Sequence, residues 1–341
     1  MRRRLVLGAT IALAVAGVTT GTATAAQPPR QAGFGFAVIG DIPYGASQIA
    51  RFPSVVDQIN ADSGVQLVDH LGDIKDGSSV CSDAYFATVR AQFDRFVDPL
   101  VYTPGDNEWT DCHRPNNGGY NPLERLQAVR HVFFPNPGKT LGEHSVAVQS
   151  QADRGLPENV SYQRAGVAFA ALHVVGSNNS LAPWTEQTAP TPEQTAEVQQ
   201  RSVATLDLIN ETFDSARGQR AVVLLMQADM FDPTVPNPSL TNYSSFQEIV
   251  RTIARRSATF DGPVYLFNGD SHVYNADNPL APGSTWLSFY DITTPAPNLT
   301  RVTVDGSTGV NDYLRVTINP SDPKVLSWTK VPFAAASAPP Q

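Results

Sequence analysis

The sequence predicts an α/β fold in which two stacked, mixed β-sheets are flanked by helices. Two observations support this prediction. In the first part of the chain, strand-like apolar runs alternate with helix-like stretches, whereas near the end strand-like runs follow one another directly. Strands joined by helices, followed by consecutive strands, favour two stacked sheets that carry the helices on their outer faces.

The strands and helices can be assigned in order along the chain. Strand-like runs span residues 35–41, 64–73, 99–106, 159–176, 221–229, 263–270, 298–306, 313–320 and 324–331, and the run at 159–176 reads as a hairpin of two strands. Helix-like stretches span residues 46–61, 83–96, 122–134, 191–216 and 244–257. Pro122 and Pro192 support two of these helices because proline suits the first helical position.

The first 26 residues have the features of a secretory signal peptide. An arginine run at 2–4 precedes an apolar run at 5–18, and small residues at 22–26 suit cleavage. A retained N-terminal anchor is the alternative, and the arginines also suit a twin-arginine export signal. We therefore expect a secreted chain with one domain at 27–333 and a disordered tail at 334–341.

The charge of the chain argues against some classes of partner. The formal net charge is −8, and it becomes −11 if the signal peptide removes Arg2, Arg3 and Arg4, since no acid leaves with them. An acidic chain without runs of Lys or Arg is a poor ligand for a nucleic acid polymer. Beyond the signal peptide, no stretch is long and apolar enough to predict a membrane span.

The chain has two cysteines, Cys81 and Cys112. An even number of cysteines in an exported protein favours a disulfide bond. A bond between them would close a loop of about 31 residues, which is worth about 3–4 kcal/mol in the chain-entropy model. Metal binding by the pair is the alternative, but the Cys-x-x-Cys spacing of such sites is missing.

One pattern occurs four times: a strand-like apolar run that ends in Gly-Asp. The four aspartates are Asp41, Asp73, Asp106 and Asp270, and a fifth run ends in "MQAD", which places Gln227 where a Gly-Asp pair might otherwise be. Ligands of open α/β sheets bind beyond the carboxyl ends of the strands, so these side chains should converge. We expect the glycines to let the backbone turn sharply and approach a ligand closely.

Four converging carboxylates need a compensating charge. A pair of like charges at 4–5 Å costs on the order of 3–4 kcal/mol at an effective dielectric constant near 20. Either the pKa values of the carboxyl groups rise or a cation holds the groups together. A single Gly-Asp pair is ordinary turn chemistry, but four of them in this position favour a metal site.

The order of these motifs resembles that of the calcineurin-like metallophosphoesterase family. The matching segments are "GDIPY" at 40–44, "GDIKDG" at 72–77, "GDNE" at 105–108 and "GDSH" at 269–272. The resemblance implies a four-layer αββα fold and two divalent metal ions. It implies that Asp73 bridges the two ions, that Asp41 and His272 bind the first, and that Asp106, Gln227 and Asp270 bind the second.

Several positions depart from the family pattern. Asp106, Gln227 and Asp270 offer oxygen donors where the family has an amide and two imidazoles. The first motif lacks its histidine, and Tyr44 in the same motif is a candidate oxygen donor in its place. Oxygen donors shift the expected ions from zinc towards Mn²⁺, Mg²⁺, Ca²⁺ or iron.

The resemblance also suggests residues for catalysis and substrate binding. The catalytic histidine of the family falls on Asn107, which can hydrogen-bond a phosphoryl oxygen but cannot act as a general acid. We expect His113 to supply the acid if its loop folds over the metals. Arg114 is the candidate for a bidentate contact with the phosphate, and Asn178 for a pocket-lining contact.

These observations predict a secreted, metal-dependent phosphoesterase. Its expected substrate is a phosphate monoester or diester of a small molecule, a lipid or an envelope component. The alternative is a catalytically impaired metal-binding protein with the same fold, since the ligand and acid histidines are replaced. A GDSL-type esterase built on Ser271 is excluded because no histidine follows His272 to serve as its base.

Overall fold

The strands and helices follow the predicted order in the computed structural model, which describes residues 33–334. The strands are β1 (Gly35–Ile39), β2 (Val68–His70), β3 (Leu100–Tyr102), β4 (Gln149–Gln151), β5 (Leu156–Arg164), β6 (Val167–Ala171), β7 (Ala221–Leu225), β8 (Val264–Asn268), β9 (Asn275–Asp277), β10 (Leu299–Thr303), β11 (Asp312–Ile318) and β12 (Leu326–Pro332). The helices are α1 (Gly45–Ala61), α2 (Asp83–Phe93), α3 (Pro122–Phe133), α4 (Gly176–Asn179), α5 (Pro192–Ser215), α6 (Leu240–Tyr243), α7 (Gln247–Ala258) and α8 (Thr285–Phe289). The predicted signal peptide and most of the predicted tail lie outside the described residues.

The strands form two mixed sheets, as predicted. One sheet has the order β12-β11-β1-β2-β3, and the other has the order β4-β5-β6-β7-β8-β10-β9. In the first sheet β1, β2 and β3 are parallel to one another, while β11 and β12 pair antiparallel. In the second sheet β6, β7, β8 and β10 are parallel.

Three apolar clusters build four layers. The cluster between the sheets contains Phe36 and Val38 from β1 together with Phe169 from β6 and Val223 from β7. A second cluster packs α1, α2 and α3 on the first sheet, and a third packs α5 and α7 on the second. Strands covered on both faces are apolar at successive positions, which explains the continuous runs in the sequence.

Five short elements could not be predicted from the pattern of apolar residues. Strands β4 and β9 have three residues each and lack an apolar run. Helices α4 and α6 have four residues each and α8 has five, too few for a helical period. Helices α4 and α6 nevertheless lie close to the site described below. No described helix combines the length and hydropathy needed to cross a bilayer.

A buried charge network lies between α3 and the second sheet. Glu158 is fully buried, and it accepts hydrogen bonds from His173 Nδ1 at 2.8 Å and from Arg130 Nε at 3.0 Å. Burial disfavours its charge, but the hydrogen bond from His173 and the charge of Arg130 lower the pKa of Glu158 to about 2. The carboxylate is therefore ionised in the folded protein.

Replacement of Glu158 by glutamine should lower the free energy of unfolding at pH 7 by about 3 kcal/mol, because Arg130 would lose its buried partner. Since the pKa of Glu158 is lower in the folded than in the unfolded chain, its contribution is present above about pH 4.5 and is lost between about pH 4.5 and 2. Urea denaturation at several pH values measures both effects. Glu193→Gln, on the exposed start of α5, is the control. If the free energy of unfolding of Glu158→Gln fell between pH 4.5 and 2 as it does in the wild type, this assignment would be contradicted.

Candidate metal centre

The predicted metal-binding residues converge at one edge of the two sheets. Asp41, Asp73 and Asp106 follow the parallel strands β1, β2 and β3, while Gln227 and Asp270 follow β7 and β8 of the other sheet. Carboxyl ends of parallel strands meet at one edge, and both sheets place that edge on the same side. The centre therefore lies where the two sheets meet.

Three of the predicted ligands form a compact group. One donor atom each from Asp41, Asp73 and His272 lies within 4.8 Å of the other two. His272 Nε2 lies 3.2 Å from Asp41 Oδ1, and both aspartates are fully buried. Two carboxylates and one imidazole at this spacing can bind a single cation.

Tyr44 lies inside this group. Its hydroxyl donates to Asp73 Oδ2 at 2.8 Å and lies 3.3 Å from His272 Nε2 and 3.5 Å from Asp41 Oδ1. The phenol therefore points at the same spot as the three predicted ligands. Tyr44 comes one residue after Pro43, the position at which the family pattern has a histidine. That it gives an oxygen donor to a metal stays a prediction.

The glycines of the Gly-Asp pairs act in two ways. Gly72 has a φ of 89° and makes a sharp turn, as predicted. A Cβ on Gly105 would lie 2.1 Å from Asp73 Oδ1, and a Cβ on Gly269 would lie 2.2 Å from Asp41 Oδ2, so these two glycines make room for the carboxylate of another strand. The aspartates also turn the backbone, because Asp41, Asp73 and Asp270 have φ values of 52°, 54° and 74°. Such values are uncommon for residues with a side chain and cluster at functional sites.

A second group of oxygen atoms adjoins the first. Asp106 Oδ2 and Asp270 Oδ1 lie 2.6 and 2.9 Å from the position that a Cβ on Gly176 would occupy. Ser177 Oγ lies 2.9 Å from both Asp106 Oδ2 and Asp111 Oδ1, and it can donate its one proton to either. Gly176 and Ser177 belong to α4, so this short helix closes the second half of the centre.

Gln227 joins the two halves. Its Nε2 donates to Asp73 Oδ2 and Asp106 Oδ1, both at 3.3 Å, while its Oε1 accepts the backbone N–H of Gly176 at 2.6 Å. In this orientation the amide presents its NH₂ group to the carboxylates. Binding a cation through Oε1, as predicted, requires the amide to be turned, and the amide orientation follows from the hydrogen-bond network.

Burial and mutual repulsion act on the carboxyl groups of the centre. Burial, and then the charges of Asp106 and Glu108, raise the pKa of Asp73 well above its usual range. Burial and the charge of Asp106 do the same for the pKa of Asp270. Without a cation, these carboxyl groups favour the protonated form, whereas a bound cation would favour the ionised form, as expected from the sequence.

Asn107 contacts the centre directly. Its Nδ2 donates to Asp73 Oδ2 at 2.8 Å and to Tyr44 Oη at 3.1 Å, and its backbone N–H donates to Asp73 Oδ1 at 3.1 Å. Asn107 thus lies where a group bound to the centre would meet an amide donor. It has no proton to give as an acid.

Two supporting residues of the centre were not predicted. Glu108 Oε1 accepts the backbone N–H groups of Asp73 at 3.1 Å and Gly105 at 2.7 Å, which fixes two Gly-Asp turns against each other. The side chain of Lys75 is fully buried, and its Nζ donates to the backbone oxygens of Asp76 and Asn107 at 2.8 Å. Both residues occur in the quoted motifs, but only their position beneath the loops reveals this role.

The predicted disulfide bond is confirmed. Cys81 and Cys112 are joined, and the described residues include no other cysteine. Both sulfur atoms lie beside the backbone oxygen of Asn107, at 3.5 and 3.6 Å. The bond therefore fixes the loop that carries Asn107.

Replacement of both cysteines by serine should lower the free energy of unfolding by about 3–4 kcal/mol, because the unfolded chain loses a closed loop of 31 residues. Guanidinium denaturation of the oxidised wild type and the double variant measures the difference. The wild type under reducing conditions should behave like the variant. Equal midpoints for all three samples would contradict a stabilising disulfide.

Arg114, the residue predicted to bind the phosphate, lies near Asn107. Arg114 Nη1 and Asn107 Oδ1 lie 3.7 and 3.2 Å from the position of a Cβ on Gly77, so the guanidinium lies beside the Asn107 amide. Arg114 also forms a salt bridge with Asp111 at 2.7 Å. This location agrees with a role in binding phosphate.

His113 points elsewhere. Its Nδ1 lies 2.8 Å from Thr185 Oγ1 and also accepts the Thr185 backbone N–H, while its ring stacks on Trp184. Burial and the charge of Arg114 lower the pKa of His113 to about 4. Within residues 33–334, no hydrogen bond joins His113 to the centre. Its predicted role as the acid stays a prediction that these contacts do not support.

Asn178 lies at the edge of the centre, but its amide is used locally. Its Nδ2 donates to Thr241 O at 3.2 Å and Ser244 Oγ at 3.1 Å, and its Oδ1 accepts the N–H of Ser245 at 3.0 Å. These bonds hold α4 against α6. A contact of Asn178 with substrate, as predicted, would compete with them.

The donor set fits hard cations. It consists of carboxylate oxygens, a phenol and one imidazole, and such donors suit Mn²⁺, Mg²⁺, Ca²⁺ or iron. The glycines at 105 and 269 leave the carboxylates close enough to share a cation. A cation would also relieve the repulsion that raises the pKa values of Asp73 and Asp270.

Several solved structures are similar to this chain. Among solved structures, the chain is similar to an anchor in the inner membrane complex of Plasmodium, with 8% identity, a TM-score of 0.44 and coverage of 89% of each chain. It is also similar to a purple acid phosphatase from yellow lupin (Lupinus luteus) seeds, with 10% identity, a TM-score of 0.42 and coverage of 88% of this chain and 53% of that one. A third is phosphopantetheinyl hydrolase from Mycobacterium tuberculosis, with 11% identity, a TM-score of 0.44 and coverage of 81% and 90%. No curated protein matches the chain.

The family assignment rests on a match over most of the chain. Residues 34–274 match the family model described as calcineurin-like phosphoesterase. This range contains all four Gly-Asp motifs and every predicted metal ligand. The members of this family typically bind divalent metals, and the Asp41–Asp73–His272 group lies where such a metal would bind. This chain therefore belongs to the calcineurin-like phosphoesterase family.

Proposed function

We propose that this protein is a secreted, metal-dependent phosphoesterase that hydrolyses a phosphate monoester or diester of a small molecule or of a lipid or envelope component. The observation that carries the proposal is the convergence of Asp41, Asp73 and His272 within 4.8 Å, next to Asp106 and Asp270. A pair of cations held by these residues would polarise the phosphoryl group and activate water. Oxygen-preferring ions are expected from the donor set.

The residues around the centre have distinct tasks in this proposal. Asp73 contributes to both halves, since its Oδ2 is bonded to Tyr44 and to Gln227. Asn107 offers its NH₂ group to a phosphoryl oxygen, where negative charge grows in the transition state. Arg114, beside Asn107, orients the phosphate by a charge-assisted contact. Solvent protonates the leaving group, because His113 is held by Thr185.

Export is proposed from the sequence of the first 26 residues. The disulfide between Cys81 and Cys112 supports it, because disulfides persist in oxidising compartments outside the cytoplasm. Fractionation of a bacterial host that expresses the full chain tests this part. The processed protein should be outside the cytoplasm, and a chain without residues 2–26 should remain inside.

Turnover tests the activity itself. The purified protein is stripped with a chelator and reloaded separately with Mn²⁺, Mg²⁺, Ca²⁺, iron or Zn²⁺, and each sample is assayed with an aryl phosphate monoester and a diester. We expect hydrolysis only after reloading, with the highest rate for an oxygen-preferring ion. Bound metal without hydrolysis of either ester would instead support a metal-binding protein that has lost turnover.

A further inference from the structure

A cavity of about 320 Å³ opens beside the second half of the metal centre. Asp270 and Ser177 form its inner wall, and Ser177 Oγ lies 2.9 Å from Asp106 Oδ2. Two larger surface cavities, of about 620 and 710 Å³, are lined by residues 147–164 with part of α5, and by the ends of α5 and α7. Neither contains a predicted site residue, so the smaller cavity is the one positioned to receive a group bound at the centre.

Two segments enclose this cavity. One follows β6 and includes α4, and the other runs from Asp229 to Phe246 and includes α6. Asn178 fastens the two segments together through its bonds to Thr241, Ser244 and Ser245. Hydrogen bonds between the segments that contain α4 and α6 therefore hold the walls of the cavity together.

Apolar side chains line two sides of the cavity. Leu181, Ala182 and Pro183 lie on one side, and Val235, Tyr243 and Phe246 lie on the other. Pockets with apolar walls and a few polar groups are typical of small-molecule binding, and the volume is near the lower end of the range for such pockets. It suits a compact organic group rather than a nucleoside or a polymer.

The charges of the cavity have one sign. Its lining includes three carboxylates and neither lysine nor arginine. Asp270 belongs to the metal centre, and Asp229 forms a buried salt bridge with Arg301 at 2.7 Å. Asp232 is partly exposed, and among the described residues its carboxylate accepts hydrogen bonds from Thr234 alone. No salt bridge among residues 33–334 involves Asp232, so its charge is free to act on a ligand.

Tyr243 supplies an aromatic surface next to this charge. Burial, together with the charges of Asp232, Asp229 and Asp270, raises the pKa of Tyr243 well above its usual range. The ring therefore stays neutral, and it lines the same cavity as Asp232. A carboxylate and an aromatic ring in one cavity can both attract a cationic group.

We propose that this cavity binds the organic group of the substrate and selects a compact, positively charged alcohol of the quaternary ammonium type over an anionic one. The proposal rests on the proposed function for the phosphate half of the substrate. Asp232 attracts the cation, Tyr243 and the apolar walls contact its methyl groups, and a second phosphate or a carboxylate would be repelled.

Binding of the free alcohol tests this proposal without any turnover. Choline is titrated into the wild type, Asp232→Asn and Asp232→Lys, and the dissociation constants are measured by calorimetry or saturation-transfer NMR. We expect choline to bind about 3- to 10-fold more weakly to Asp232→Asn and more weakly still to Asp232→Lys, as expected for one partly screened charge. Glu193→Gln and Glu193→Lys make the same charge changes on the exposed start of α5 and should leave binding unchanged.

Turnover of matched esters gives the second readout. The ratio of kcat/KM for phosphocholine to that for phosphoserine should be highest in the wild type and should fall in the order wild type, Asp232→Asn, Asp232→Lys. Choline binding without hydrolysis of any ester would support this pocket and overturn the proposed hydrolase function. Hydrolysis without choline binding would support the hydrolase function and overturn the pocket assignment. The same conclusion would follow if the ratio of the two kcat/KM values were unchanged in the Asp232 variants.

Discussion

Replacement of Asp73 by asparagine is expected to lower kcat/KM for an aryl phosphate by about a thousandfold or more. Asp73 is fully buried, and its carboxylate contacts residues of both halves of the centre: Tyr44, Asn107 and Gln227. Asparagine lacks the negative charge with which Asp73 would help to hold cations at the centre, and such electrostatic stabilisation is worth several kcal/mol in the transition state. Steady-state kinetics of the reloaded variant measures the effect.

The stability of the metal-free variant separates this effect from misfolding. Asparagine has nearly the same shape and removes one charge from a crowded group of acids, so the metal-free variant should melt at the same temperature as the wild type or above it. Asp57→Asn, an exposed aspartate on α1, is the matched control and should keep full activity. A fully active Asp73→Asn enzyme would contradict the assignment of Asp73.

Replacement of Asn107 by alanine should lower kcat by about 100- to 1,000-fold, because an NH₂ group aimed at the centre is lost. Metal binding should change little, since Asn107 donates hydrogen bonds to Asp73 and Tyr44 and offers no oxygen to the centre in this orientation. Measurement of both kcat and the metal affinity of Asn107→Ala tests whether kcat falls while metal binding stays unchanged.

Asn116→Ala provides the control for the Asn107 variant. Asn116 is exposed in the segment between β3 and α3 that also carries Asn107, and its side chain contacts the backbone of Gly77 rather than the centre. It should keep the wild-type kcat. If Asn107→Ala loses metal and activity together, Asn107 positions the ligands and does not act on the substrate.

Much of the centre could be predicted because its residues follow apolar strands. A strand buried on both faces gives a continuous apolar run, and the residues after it lie at the carboxyl edge of the sheet. Asp41, Asp73, Asp106 and Asp270 are found in this way from sequence alone. The reason for Gly105 and Gly269 could not be predicted, because these glycines are needed for contacts with aspartates that are distant in the sequence.

The parts contributed by short segments were not predicted. Ser177 lies in a four-residue helix in which Ser177 and Asn178 have positive φ, a conformation that no apolar period indicates. Tyr44 was noted in the sequence, but its contact with Asp73, Asn107 and His272 depends on the packing of three loops. His113 was favoured because it is close to Asn107 in sequence, whereas the loop turns its ring towards Thr185.

Metal binding tests the central claim most directly. Mn²⁺ is titrated into the chelator-treated wild type and Asp73→Asn, and calorimetry gives the number of ions bound per chain together with their affinity. We expect about two ions per wild-type chain and at most one, bound more weakly, in Asp73→Asn. A wild-type chain that binds none of the oxygen-preferring ions, or a variant that binds them as the wild type does, would contradict a metal centre built on the four strand-end aspartates.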